Sequence, residues 1–478
     1  MALNRPLLDQ RLSSLRSVPG LSGEALAALA ATLEQPDDWR CLRINPLAFA
    51  EAHGLPVDPV LDVFLHAARL GLVELRFNLI CPGCGGVEYQ MERLDAVPSS
   101  EWFCIVCDRQ VHADLDDRVE VSFTPELGLR RLELDPASSL EHYLAFYFSA
   151  NFQRSPELQA FLGSKTLALE FVRPGADLTL RFDAKPGTTY RLLSVDTHSQ
   201  VQLTPRGDGQ ASTLDVVGVT EGLRPATAPI SPGPVTVRVA NRRSLPIGLM
   251  LVEVDWDGLS AVLQRHPNRM RPFLTAKMLL NNQTFRDLFR VQKLDADLQL
   301  RLRSLTLLFT DLKGSTELYD RTGDLRAYRF VREHFRVLSS AVKRHHGAII
   351  KTMGDAIMAS FNEPADAARA ALEMMQGMEA LSAELKAEGY ETGLKVGLHE
   401  GSALAVTSEE RLDYFGQTVN VAARVQGLAQ AGEIWLTTTV MDTPGVRPLL
   451  EGAGWRSEPH QVSLKGVGGT TAVHRLHR

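Results

Sequence analysis

The sequence predicts a multidomain α+β protein, and three observations predict it. Two C-x-x-C pairs lie in the first quarter, short alternating runs separated by Pro-Gly turns fill the middle, and strand and helix patterns alternate over the last third. A chain of 478 residues also exceeds what one ordinary core accommodates.

Residues 1–80 read as short helices. Pro46–Gly54 and Pro56–Gly71 form two helices joined by a tight turn, followed by a strand over Leu72–Leu79, a winged-helix-like order. The second helix carries Asp58 and Asp62 near its start and only Arg69 later, so its charge opposes docking on phosphates. The whole chain carries a net charge of −6, and this segment is expected to contact protein rather than DNA.

Residues 81–117 hold Cys81-Pro-Gly-Cys84 and Cys104-Ile-Val-Cys107. Each two-residue gap aims two sulfurs at one point, and the pattern predicts a structural zinc ribbon ligated by Cys81, Cys84, Cys104 and Cys107. The fifth cysteine, Cys41, is assigned to packing.

From 118 to 256, runs such as Leu178–Phe182 and Val235–Val239, separated by Pro174-Gly175, Pro186-Gly187, Asp208-Gly209 and Pro232-Gly233, predict a β-sandwich. The aromatic cluster Tyr143, Phe146, Tyr147, Phe148 and Phe152 is read as core in preference to a sensory pocket. Residues 257–303 read as a helical linker: Thr284 with Asp287 resembles a capping box, and Leu288, Val291, Leu294 and Leu298 form a seam.

In residues 304–478, Leu305–Thr310 is a buried strand and Ala327–His345 an amphipathic helix ending in cations, with Gly347 its expected left-handed terminator. Asp311 follows the strand directly. Asp355 follows Gly354 in the turn of a hairpin formed by Ala348–Ile350 and Ala356–Phe361. Carboxylates at the ends of adjacent strands can share divalent cations.

Five segments in order, namely Phe309–Thr316, Lys351–Asp355, Gly397–Gly401, Asp413–Arg424 and Leu464–Gly466, resemble the catalytic domain of class III adenylate and guanylate cyclases. The resemblance implies a ferredoxin-like α/β domain and two Mg²⁺ or Mn²⁺ ions held by Asp311 and Asp355. It also implies a triphosphate cradle at Lys313 and Gly314, a ribose-orienting Asn420, a transition-state Arg424 and a phosphate-binding Lys465. The positions that read the base match Lys351 and Asp413. Lysine only donates and ionised aspartate only accepts, which suits N1 and the 6-amino group of adenine and opposes guanine.

The expected activity is therefore conversion of ATP to 3′,5′-cyclic AMP and pyrophosphate. The family's shared site implies a homodimer, and residues 1–256 are expected to regulate it through a ligand or protein partner. The alternatives are a guanylate cyclase using GTP, or a non-catalytic nucleotide-binding or transcription-regulatory protein. No apolar run approaches the ~20 residues of a membrane span, and the N-terminus lacks a secretory pattern, so a cytoplasmic protein is expected.

Overall fold

The computed structural model describes residues 3–94, 101–112, 116–206, 212–289, 300–314, 324–386, 392–408 and 411–478. The chain forms two compact units: residues 1–113 with 118–274, and 114–117 with 275–478.

In the first unit, helices Pro46–His53 and Val57–Arg69 lead into strand Val73–Ile80, in the order read from the sequence. Gly54 closes the first of these helices in the left-handed region at φ 64°, which explains the tight turn. The strand pairs antiparallel with Val87–Met91 and with Val119–Pro125. The third strand thus comes from beyond the cysteine segment, and zones that look separate in sequence share one sheet. The β-sandwich begins only at Thr166, after helices Leu140–Tyr147 and Pro156–Lys165.

The sandwich packs a five-stranded sheet on a four-stranded one. Gly233–Asn241 shows why: Val235, Val237 and Val239 are buried while the residues between them are more exposed, the period-2 pattern of a strand with one apolar face. That strand lies antiparallel to Asp177–Ala184, so the two runs singled out in the sequence are neighbours.

The second unit is built on a mainly antiparallel sheet. Its central strand, Leu300–Lys313, lies between the hairpin strand Ala356–Phe361 and the long strand Gly393–Ser408. One face packs on helices Asp324–Arg344 and Pro364–Lys386, through a core containing Leu308, Leu338, Ala371, Met374 and Leu398. Helix Gln417–Gln426 packs through Val421 and Val425 against Trp435 and Val473.

Three local expectations are corrected. The strand starts at Leu300, so the expected helical linker does not extend to 303, and Val291, Leu294 and Leu298 lie outside the described residues. The helix Gln283–Leu288 is capped by Asn282, whose side chain accepts from the Phe285 N–H, and not by Thr284, which is buried. The left-handed residue after helix Asp324–Arg344 is His346 at φ 57°, not Gly347. Gly347 is needed for another reason: a Cβ there would lie 2.4 Å from the Phe361 ring.

Gly397 brings the helix Gln417–Gln426 onto the sheet, since a Cβ at this position would lie 2.3 Å from the backbone of Gln426. Backbone cannot swing aside as a side-chain tip can. Gly397→Ala should therefore cost about 2 kcal/mol or more of stability in urea unfolding. Gly452→Ala, where an added methyl meets nothing within 4 Å, should be neutral.

Candidate active site and cysteine centre

Asp311 lies near the end of the central strand, in register with Lys395, whose ammonium donates to Oδ2 at 2.8 Å. On the other side the ladder pairs Phe309 with Met358, and Thr310 Oγ1 accepts from the Ile357 N–H at 3.0 Å. Continued by two residues, this register sets Asp311 beside the hairpin turn that carries Asp355. Gly354 makes the turn at φ 65°.

Asp355 is held through its backbone. Its carbonyl accepts from Nε2–H of His334 at 2.8 Å, and the other ring nitrogen of this fully buried histidine lies 3.3 Å from Met378 Sδ. Burial lowers the His334 pKa, which keeps the ring neutral with its proton on Nε2. Meanwhile Asp355 Oδ2 is buried with no hydrogen-bond partner among the described residues. A buried carboxylate oxygen without a donor fits a cation ligand.

Lys351 and Asp413 meet directly, with Nζ 2.7 Å from Oδ2. Asp413 Oδ1 also accepts from the Tyr414 N–H at 2.8 Å. Two short helices, Ala276–Leu280 and Gln283–Leu288, brace the strands that carry this pair. Gln283 Oε1 accepts from the Ile349 N–H at 2.8 Å, and Arg286 donates to the Leu412 carbonyl at 2.6 Å. Asn281 Oδ1 accepts from Ser360 at 2.6 Å and from the Tyr414 hydroxyl at 2.8 Å. Sequence reading missed Asn281, Gln283, Arg286, His334 and Lys395. Their partners are remote in the chain, and only the polar residues inside an otherwise apolar segment hinted at them.

Asn420 and Arg424 stand one turn apart on the exposed side of helix Gln417–Gln426. Lys465 is exposed in the loop between strands Arg456–Val462 and Thr471–His477. Its neighbour Leu464 packs with Val421 and Val425, which ties this loop to the same helix. Lys313 is the last residue of the central strand and Gly314 follows at φ 83°. The helix start expected there lies outside the described residues, which resume at Asp324.

In the first unit, the four cysteine sulfurs lie within 4.8 Å of one another. Cys81 and Cys107 are 3.8 Å apart, Cys84 and Cys104 3.7 Å. A tetrahedral ion with ~2.3 Å Zn–S bonds needs sulfur separations of about 3.8 Å. The two knuckles share one backbone turn: Gly85 N–H donates to the Cys81 carbonyl at 2.7 Å and Asp108 N–H to the Cys104 carbonyl at 2.9 Å. Left-handed residues, Gly85 at φ 75° and Asp108 at φ 57°, follow the second cysteine of each pair. Cys41 is buried and donates to the Thr32 carbonyl at 3.3 Å.

Two family descriptions match the chain. Residues 9–287, more than half of the chain, match the family described as "Family of unknown function (DUF5939)", and the chain belongs to it. Residues 299–471 match the adenylate and guanylate cyclase catalytic domain, and this C-terminal part belongs to the class III cyclase family.

Among the relatives is adenylate cyclase 1 of Rhizobium meliloti, 33% identical over 138 residues, covering 26% of this chain and 21% of that protein. An adenylate cyclase of Anabaena cylindrica is 31% identical over 139 residues, covering 27% and 28%. The chain thus spans less than a third of each. Among solved structures, the adenylyl cyclase CyaB from P. aeruginosa is 22% identical and covers 38% of this chain and 96% of its own, with a TM-score of 0.33. No helix among the described residues is long and apolar enough to cross a membrane.

His399, in the segment Gly397–Gly401, bonds Thr437 Oγ1 at 2.9 Å, and burial lowers its pKa to about 4. The unfolded chain takes up this proton below pH ~6.5, whereas the folded chain waits until about 4. Stability should be full above the upper value, fall by up to roughly 3 kcal/mol through this window, and flatten below it. Urea unfolding at pH 7.5, 6 and 4.5 should show His399→Gln losing that portion of the slope.

Proposed function

We propose that the protein is an adenylate cyclase that converts ATP to 3′,5′-cyclic AMP and pyrophosphate at a site shared by two chains. The observation that carries this reading is the Lys351–Asp413 contact at 2.7 Å, which sets a donor beside an acceptor at the positions that read the base. Adenine offers N1 as acceptor and its amino group as donor, so the base can insert between the two groups and satisfy both. Guanine reverses both and leaves two polar groups opposed.

Asp311 and Asp355 are the proposed metal ligands. The orphaned Oδ2 of Asp355 supports this. Bound Mg²⁺ or Mn²⁺ would neutralise the triphosphate and lower the pKa of the ribose 3′-hydroxyl. In the reaction the 3′-oxygen forms a bond to the α-phosphorus while the bond from that phosphorus to the bridging oxygen breaks. The hydroxyl proton passes to solvent and pyrophosphate departs. Asn420 orients the ribose, Arg424 offers paired donors to the equatorial phosphoryl oxygens, and Lys465 with the backbone at Lys313 and Gly314 holds the distal phosphates. Because the nucleophile is tethered, orientation supplies much of the rate.

Exposure of Asn420 and Arg424 supports a homodimer, in which these groups complete the metal site of the partner chain. Phe415, 66% exposed beside the base-reading pair, supports the same reading. Structural zinc at Cys81, Cys84, Cys104 and Cys107 is supported by the sulfur spacing, and regulation by the first unit remains the role proposed for it.

Product analysis with ATP and GTP in parallel, with either cation, tests the reaction. Cyclic AMP should dominate and vanish in Asp355→Ala, whereas cyclic GMP as the main product would reverse the substrate assignment. Lys351→Glu combined with Asp413→Cys should shift preference toward GTP, and an unchanged ratio would remove these residues from base reading. Mixing inactive Asp311→Ala and Arg424→Ala chains should restore activity through one intact site per heterodimer. No recovery despite confirmed mixing would contradict a shared site. Metal analysis should find one zinc per chain, lost in Cys107→Ser.

A further inference from the structure

The first unit contains a cavity of about 360 Å³ whose wall includes the outer cysteines of both knuckles, Cys84 and Cys107. Helix Trp256–Arg265 lies along it. This helix has Leu259 and Leu263 one turn apart, yet none of its residues is fully buried. Its apolar side lines the empty space together with Phe161 from the neighbouring helix and Leu193 and Met250 from the sandwich. Tyr143, Tyr147, Phe148 and Phe152, read as core, are all buried, the two tyrosines with ring centroids 4.7 Å apart, and Phe148 and Phe152 also form part of the cavity wall.

Of the charged groups at the wall, Arg109 is exposed to solvent and the others are engaged. Arg154 lies over the Phe148 and Phe152 rings at 4.7 and 5.1 Å and donates to the Cys84 carbonyl at 2.9 Å. Arg191 donates to the carbonyls of Ile105 and Val106 in the second knuckle. Lys165 sits 2.9 Å from both Glu253 and Asp255. Among the described wall residues, the buried polar atom left without a partner is Asn268 Oδ1, an acceptor. An anion inside would meet Glu253 and Asp255, with the unengaged wall cation, Arg109, exposed to solvent, and a cation would lack a free carboxylate. A largely apolar lining with one unsatisfied acceptor defines the remaining chemistry.

We propose that this cavity binds an uncharged, mainly apolar small molecule of about a dozen non-hydrogen atoms, at ~30 Å³ for each water-sized portion, carrying one hydrogen-bond donor for Asn268. The arginines that hold the knuckle carbonyls form part of the same wall, so the occupant rests against the cysteine centre.

Equilibrium dialysis of the full chain with 2-naphthol, naphthalene and naphthalene-2-sulfonate tests the assignment. Naphthol should bind saturably at one per chain, and the other two about tenfold more weakly. Leu259→Trp fills the space from the exposed helix and should weaken naphthol binding by about tenfold or more with an unchanged melting temperature. Leu263→Phe serves the same purpose if that variant fails to fold. Asn268→Leu should abolish the preference for naphthol over naphthalene. Naphthol binding that does not saturate, that survives both substitutions unchanged, or that is weaker than sulfonate binding would overturn the proposal.

Discussion

The catalytic unit depends on the register between the central strand Leu300–Lys313 and the hairpin strand Ala356–Phe361. Side chains alternate across a strand, so a slip of one residue would turn Asp311 to the opposite face and bury it against the helices. Leu308, at 0% exposure, forbids that slip from one face, and the Thr310 hydroxyl bonded to Ile357 fixes it from within the sheet. Two acidic groups can then project from neighbouring strand ends without either belonging to a flexible loop.

The same logic extends to the Lys351–Asp413 pair. Lys351 and Asp413 lie on strands that are not hydrogen-bonded to each other, so a third element must hold their separation. Helix Gln283–Leu288 does this through Gln283 and Arg286, and the preceding Asn281 joins Ser360 to Tyr414. The residues ahead of the recognised catalytic motifs are therefore part of the catalytic unit. Through them, a displacement of a few tenths of an ångström could alter the site without touching a catalytic side chain.

Much of this was legible in the sequence because its signals are local. A buried strand ending in Asp311, a Gly354 turn before Asp355 and two C-x-x-C pairs each declare themselves within a few residues. What stayed hidden depends on distant partners. Nothing near His334 indicates that its ring meets the Asp355 carbonyl, and Arg286 finds its acceptor at Leu412, far along the chain. Gly347 was noticed for the wrong reason: the sequence offers a helix terminator, while the structure uses its lack of a side chain to admit Phe361. The cavity arises where helices Pro156–Lys165 and Trp256–Arg265 cover the outer face of the five-stranded sheet, and periodicity alone cannot distinguish a helix over a core from one over a void.

Central to the account is that Asp311 and Asp355 jointly gather divalent ions around a bound nucleotide. Electron paramagnetic resonance of Mn²⁺ titrated into the protein with a non-cyclisable ATP analogue measures this directly. Two nucleotide-dependent Mn²⁺ ions should bind per site, and replacing either acid by its amide should lose at least one. Equal Mn²⁺ uptake by the wild type and by Asp355→Asn would contradict the account.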